Sequence, residues 1–129
     1  MSRALLLLAL LASGCSLTGP SNADIEAARS PEADGVIVNR TSASFIPYAM
    51  DESNAALFDP ASEFTVSDQD LIVASGDARA LGITGYEPGE TVIVYLFRVR
   101  GDVATYAGFQ RIDGAEFERD DAVVTVNRF

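Results

Sequence analysis

From residue 35 onward the apolar positions come in short blocks, and none keeps the spacing of an amphipathic helix for long. Gly35-Val36-Ile37-Val38-Asn39-Arg40-Thr41 is a β-branched run closed by turn formers. Ser44-Phe45-Ile46-Pro47-Tyr48-Ala49-Met50 is a second apolar run. Pro47 has no N–H for a ladder, so it predicts an edge strand or a bulge. Asp51-Glu52-Ser53-Asn54 turns the chain and Asp59-Pro60 breaks it again. Short strands are predicted at Phe64-Thr65-Val66 and Leu71-Ile72-Val73, with polar Ser67-Asp68-Gln69-Asp70 between them.

The clearest local signals follow. Glu87-Pro88-Gly89-Glu90 fits a type II turn, with Pro and Gly at its two central positions. It leads into Thr91–Val99, apolar on both faces and therefore predicted as a central strand. Arg100-Gly101-Asp102-Val103 then reads as a two-residue hairpin, with Gly first as a type II′ turn prefers. Pairing outward from that turn puts Val99 opposite Ala104, Phe97 opposite Tyr106 and Tyr95 opposite Gly108. On the other face it puts Leu96 opposite Ala107 and Val94 opposite Phe109. Asp113-Gly114 ends the return strand, Gly114–Asp121 is a polar connection with about one helical turn, and Ala122–Val126 is the last strand. About six or seven short strands, with turns roughly every 8–12 residues, predict an all-β fold: a small antiparallel β-sandwich of immunoglobulin-like or transthyretin-like size over residues 35–129. The Cys…Trp…Cys signature of true immunoglobulin domains is missing, because the chain has one Cys and no Trp.

Residues 15–34 have a different composition. Ser, Gly, Pro, Asn and Asp dominate their first half, and Leu17 and Ile25 are their large apolar residues. They predict a flexible tether reaching roughly 25 Å, with a turn or two of helix over Asn22–Arg29 ended by Ser30-Pro31. Ahead of them, Arg3 is the only charge in the first 23 residues and precedes an unbroken apolar run from Ala4 to Ala12. A charged start and an apolar stretch of this length have the form of a secretory signal. The run is short of the ~20 residues a membrane-spanning helix needs.

Leu11-Ala12-Ser13-Gly14-Cys15 resembles the bacterial lipobox, and with it the chain resembles a bacterial lipoprotein. The resemblance implies a signal peptide at residues 1–14 cleaved after Gly14, a thioether diacylglyceryl group on Cys15, and usually a third acyl chain on the new amine. It departs from the common pattern at Ala12, where Leu is commonest, with Leu11 one place earlier. Two or three acyl chains anchor stably where one does not. Ser16 stands where Asp commonly marks inner-membrane retention, so the resemblance implies a lipid-anchored protein of the bacterial cell envelope, sorted to the outer membrane. The alternative is an ordinary cleaved signal that happens to contain a cysteine; against it, Cys15 is the only cysteine in the chain.

Composition removes whole classes of chemistry. The formal net charge is −10, and cleavage would remove Arg3 as well. An acidic body repels nucleic acid and anionic headgroups, so nucleic acid is not an expected partner. There is no His and no Lys, and all nine basic residues are Arg. That excludes a Ser-His-Asp or Cys-His nucleophile, a His-bound zinc, copper or haem site, a lysine Schiff base and a GK[ST] phosphate loop. The expectation is a protein that is not an enzyme, with no catalytic residue, no cofactor and no metal ligand set.

Several motifs have a bland reading beside a sharp one. Arg100-Gly101-Asp102 spells an integrin-binding tripeptide at a hairpin tip, but a tight turn favours Gly-Asp for backbone reasons alone. Asn39-Arg40-Thr41 matches the glycosylation sequon, which a bacterial envelope protein seldom uses. Asp51-Glu52, Asp68-x-Asp70, Asp113-x-x-Glu116 and Asp120-Asp121 fall in predicted loops, as calcium ligands do, yet none fits a D-x-[DN]-x-[DN]-G loop. A pair of carboxylates at glycosidase spacing exists trivially among 19 acidic residues. Tyr86, beside the Pro88-Gly89 turn, is expected as an exposed contact, and Phe45, Tyr48, Tyr95, Phe97, Tyr106 and Phe109 as core. Two functions remain. The first is a non-enzymatic interaction or structural module that meets the membrane through lipid on Cys15 and offers loops or an edge strand to another envelope protein. The Pro47 strand is the candidate edge, although Pro also blunts edges. The second is a small-ligand or calcium-binding β-domain.

Overall fold

The computed structural model describes residues 19–129. The β-branched run β1 (Gly35–Asn39) lies at the centre of a three-stranded sheet, between β4 (Ala78–Leu81) and β8 (Val123–Val126). The longer runs form a five-stranded sheet in the order β3 (Glu63–Thr65), β7 (Val103–Ile112), β6 (Val92–Arg100), β2 (Ser44–Asp51), β5 (Ile83–Thr84). The fold is thus a small all-β, sandwich-like one. Among the described residues it has eight strands, and two of its pairings, β1 with β8 and β2 with β5, are parallel. Parallel neighbours need a crossover connection, and here each pair joins strands far apart in sequence, so neither pairing shows in a local pattern.

The two sheets are joined along one side and open along the other. β4 belongs to the first sheet and β5 to the second, with only Gly82 between them. The Asp34 carboxylate pins this corner by accepting a hydrogen bond from the Ile83 N–H at 2.7 Å. Leu71-Ile72-Val73 is not a strand: Gln69–Leu71 is one turn of 3₁₀ helix, and Val73 makes a single antiparallel bridge to Phe45. That bridge also locates Pro47. Phe45 exchanges both main-chain hydrogen bonds with Val73, so Phe45 and Pro47 both turn away from β6. The missing N–H of Pro47 falls in the gap between Val73 and β5, where it breaks no ladder bond. β2 is therefore paired on both sides, with Pro47 in its one unpaired stretch, and is not a free edge.

The local turns form as the sequence predicts. Gly89 adopts φ +89° and the Glu90 N–H donates to the Glu87 carbonyl, closing the type II turn. Gly101 takes φ +63° while Asp102 stays at negative φ, the sign pattern of a type II′ turn. The expected pairs Val99–Ala104 and Phe97–Tyr106 form, and then the register shifts by one residue. Leu96 faces Gly108, Tyr95 faces Phe109 and Val94 faces Gln110, in place of the pairs extrapolated from the turn. Ala107 is the extra residue of this β-bulge, and Gly108, at φ +121°, absorbs the bend.

Apolar burial is divided between two clusters. Between the sheets lie Ile37, Phe45, Leu81, Val92, Val94, Phe117 and Val124 among others. On the outer face of the five-stranded sheet, Ile46, Met50, Ile93, Tyr95, Phe97 and Ala104 form a second cluster, with Phe58 and Phe64 packed against it. That second layer explains why β6 is apolar on both faces. β1 is buried on both faces for a different reason. Ile37 points into the inter-sheet core, so alternation turns Val36 and Val38 the other way, and these are also fully buried. The helix α1 (Asn22–Ala28) packs against β4 and β1, and a single helical turn, α2 (Glu52–Ala55), follows β2.

The 15–34 stretch therefore carries more structure than its composition predicts. Residues 15–18 lie outside the described residues. Ser21 caps α1 reciprocally with Asp24, each accepting a hydrogen bond from the other's N–H. The Ser21 N–H, and after it the Ser21 hydroxyl, donate to the Asp24 carboxyl and hold it below its usual range. At the other end of the stretch, the Asp34 N–H donates to the Leu81 carbonyl.

Candidate functional site

The candidate site lies on the open side of the sandwich. A cleft of about 860 Å³ lies there, lined by α1 (Asn22, Ile25, Glu26, Arg29), by β7 (Gln110, Arg111, Ile112) and by β8 with its flanks (Val123, Val124, Thr125). Its far wall carries Glu116, Asp120 and Asp121. The helix α3 (Gly114–Arg119) positions these acids, because Phe117, on its inner face, is buried in the inter-sheet core. The chain leaves α3 through Asp121 and Ala122, both left-handed at φ 55° and 60°. That reversal turns Asp120 and Asp121 outward and sends β8 along β1.

Both walls of the cleft are sheet edges. Among the described residues β8 pairs with β1 alone, and β3 covers β7 only as far as Tyr106, whose N–H reaches the Ser62 carbonyl. Beneath them the Gln110 side-chain carbonyl, Oε1, is buried and has no hydrogen-bond partner among the described residues. Buried polar atoms nearly always find partners, so an orphan acceptor at the floor of a cleft is a local cost awaiting a donor. The two cations of the lining are already paired. Arg29 Nε lies 3.0 Å from Glu26 Oε1 and Arg111 Nη1 lies 3.3 Å from Glu52 Oε1. Glu116, Asp120 and Asp121 have no ion-pair partner among the described residues, so the cleft is net acidic.

The residues singled out from sequence fare differently. Cys15 lies outside the described residues, and so does the lipobox. Asn39 of the sequon is fully buried, and its amide nitrogen donates to the Ala43 and Val73 carbonyls at 2.8 and 3.0 Å, so it is a structural residue. Arg100, Gly101 and Asp102 are exposed at the hairpin tip. Of the acidic pairs, Glu116, Asp120 and Asp121 reach one wall of the cleft, and among the described residues no three acidic groups are placed to hold a metal ion. Asp51 is an N-cap instead: half of its pair is buried, accepting from the Asn54 N–H and side-chain amide. Tyr86 is not an exposed contact. It packs edge-on against Phe117 at 5.5 Å, and its phenol is pushed up by burial and then by Glu118, Asp34 and Glu90. Two of the aromatics expected as core are exposed, Tyr48 at 38% and Phe109 at 59%; Phe109 stands on the half of β7 that β3 leaves uncovered.

Glu90 is another acid in a marked setting. Partial desolvation raises its carboxyl above the ordinary glutamate range, and the negative charges of Asp51 and Glu87 add to the effect. A carboxyl that holds its proton more tightly when folded favours the fold at low pH and disfavours it as pH rises through the raised value. Glu90→Gln is therefore expected to raise the melting temperature at pH 7 and to leave it unchanged below the ordinary glutamate range. Equal melting temperatures of the two proteins at pH 7 would refute this.

The sequence signal for the cleft was faint. Gln110-Arg111 interrupts the return strand with two polar residues, and Thr125 does so in the last strand, but nothing local brings these segments together. No helix among the described residues is long and apolar enough to cross a membrane. In comparisons with known proteins the chain matches no family model, no curated protein and no solved structure.

Proposed function

We propose that this chain is a lipid-anchored protein of the bacterial cell envelope, held at the outer membrane through Cys15, whose sandwich serves as a non-enzymatic interaction or structural module. Support for the anchor is the sequence of residues 1–15. Support for the module is the open side of the sandwich, and it is the observation that carries the reading: two sheet edges face one cleft with main chain left unpaired by the described residues. Open edges invite pairing with another chain, and soluble domains ordinarily blunt or cover them. The second reading, a small-ligand or calcium-binding domain, has the volume of the cleft in its favour, since small-ligand sites span about 300–1,000 Å³. Among the described residues, however, no three acidic groups are placed to hold a metal ion.

The test is a crosslinking pull-down of the native, lipidated protein from its own envelope, with Cys15→Ala as control. One specific partner captured by the wild type and lost in the control is the expected result. Cys15→Ala is also expected to move the protein from the membrane fraction to the soluble fraction. A variant that stays in the membrane fraction would overturn the anchor.

A further inference from the structure

We propose that the cleft is a strand-addition site for an extended, cationic segment of another polypeptide, which pairs its main chain with β8. The inference rests on the interaction-module reading and specifies the chemistry of the partner.

The main-chain directions can be read from the ladder. In the parallel pair, Val36 N–H donates to Ala122 and Arg40 N–H to Val126, so Ala122, Val124 and Val126 turn their main chain toward β1. The residues between, Val123 and Thr125, turn theirs outward. Val123 N–H is used locally by the Asp120 carbonyl at 3.2 Å. That leaves the Val123 carbonyl and both main-chain groups of Thr125 facing the cleft. The same alternation applies across it. Phe45 faces Val73, which sets Leu96, Val94 and Val92 of β6 toward β7, where they meet Gly108, Gln110 and Ile112. Phe109 and Arg111 therefore direct their main chain away from β6 on the stretch that β3 leaves uncovered. An added strand would find donors and acceptors on both sides, and Gln110 Oε1 would find a donor from below.

Charge chooses the occupant. Glu116, Asp120 and Asp121 are uncompensated, whereas Arg29 and Arg111 are held by Glu26 and Glu52. A second copy of this chain carries the same acidic excess, net −10, and is repelled. A segment alternating apolar and basic residues sets its apolar side chains against Ile25, Ile112 and Val123 and its cations near the acids. Strand addition draws affinity from main-chain hydrogen bonds and specificity from the alternate side chains, and here both elements are present.

The experiment titrates the full chain, ¹⁵N-labelled in detergent micelles, with a capped octapeptide of alternating valine and lysine, and in parallel with its valine–glutamate counterpart. Expected are amide shifts at residues 123–127 and 109–112 with the lysine peptide and none with the glutamate peptide. Thr125→Pro removes an outward N–H and no ladder bond, so it should keep the fold while weakening the peptide about tenfold, the effect of losing roughly one good hydrogen bond. Asp120→Asn with Asp121→Asn should weaken it by a similar factor at low salt, which keeps the test decisive if the proline variant does not fold. Equal binding of the two peptides, shifts confined to other strands, or no binding would overturn the proposal. So would a wild-type dimer that Thr125→Pro abolishes in the absence of peptide binding, which would make a second copy the occupant. In the pull-down, a partner captured equally by wild type and Thr125→Pro would sink the edge but leave the module reading standing. No capture at all would sink the module reading itself, and this inference with it.

Discussion

Asn39→Asp, a change of one side-chain atom, is expected to cost about 3–5 kcal/mol of folding stability at neutral pH. Asn39 is fully buried at the end of β1 and uses its whole side chain. Its amide nitrogen donates to the Ala43 and Val73 carbonyls, and its oxygen accepts from the N–H and hydroxyl of Thr41 at 2.9 and 2.7 Å. It therefore ties three segments: the end of β1, the turn into β2, and the Val73 bridge. A carboxylate keeps the two acceptor roles and loses both donor roles. The Ala43 and Val73 carbonyls then face an anion, each with one other donor in reach (the Thr41 hydroxyl and the Phe45 N–H), so the cost lies in their repulsion of the charge and in its desolvation. Burial would raise the new carboxyl's pKa, so stability should partly return as pH falls and one O–H donor is regained. Asn39→Ala removes the acceptors along with the donors and should cost about 2–3 kcal/mol, with no such pH dependence. Urea unfolding at pH 7 and pH 5 separates the two variants. A loss below about 1 kcal/mol for Asn39→Asp would mean that the network is not the tie described here.

Asn39 also marks how far the fold was legible before the structure. In sequence it was a turn former and the first residue of a sequon, because a local reading sees only its neighbours. Its role depends on Val73, thirty-four residues away. The same division holds throughout. The Pro88-Gly89 turn, the Gly101-Asp102 hairpin and the all-β class were readable, since turn chemistry and strand period are set within a few residues. The parallel partners of β1 and β2, the short strands β4 and β5, and the bulge at Ala107 were not, since each is decided by what packs against it. A turn or two of helix within a flexible tether is all that the composition of Asn22–Arg29 predicts, yet α1 packs against β4 and β1 beside two valines that alternation turns away from the core. The cleft is the extreme case. It consists of what non-local pairing leaves unpaired, so Thr125 and Gln110 stand out only once both sheets are in place.

Gly35→Ala is the other large expected effect, a loss of roughly 2–4 kcal/mol, and its cause is space alone. Gly35 opens β1, is buried, and has no positive φ, so backbone freedom does not explain it. A Cβ there would collide with the Ala122 carbonyl oxygen and stand 3.0 Å from the ring of buried Phe117. Neither can retreat cheaply. The Ala122 carbonyl is the acceptor for Val36 N–H at 2.9 Å, and Ala122 is already held left-handed, where a non-glycine residue is strained. Relief must come from moving β8 away from β1 or Phe117 out of the core. Gly82 is the matched control: it too lacks a positive φ, and a Cβ there meets nothing within 4 Å. Gly82→Ala should be neutral or stabilise by up to about 1 kcal/mol, through the unfolded chain. Because the damage in Gly35→Ala falls on the β1–β8 pairing, amide exchange should accelerate first at Val124 and Val126, whose main chain faces β1. Thr125 N–H, already turned to the cleft, should exchange fast in both proteins. If instead the two alanine variants unfold at the same urea concentration, the close approach of Gly35 to Ala122 is not what holds β8, and the edge that lines the cleft must be fixed from the side of α3.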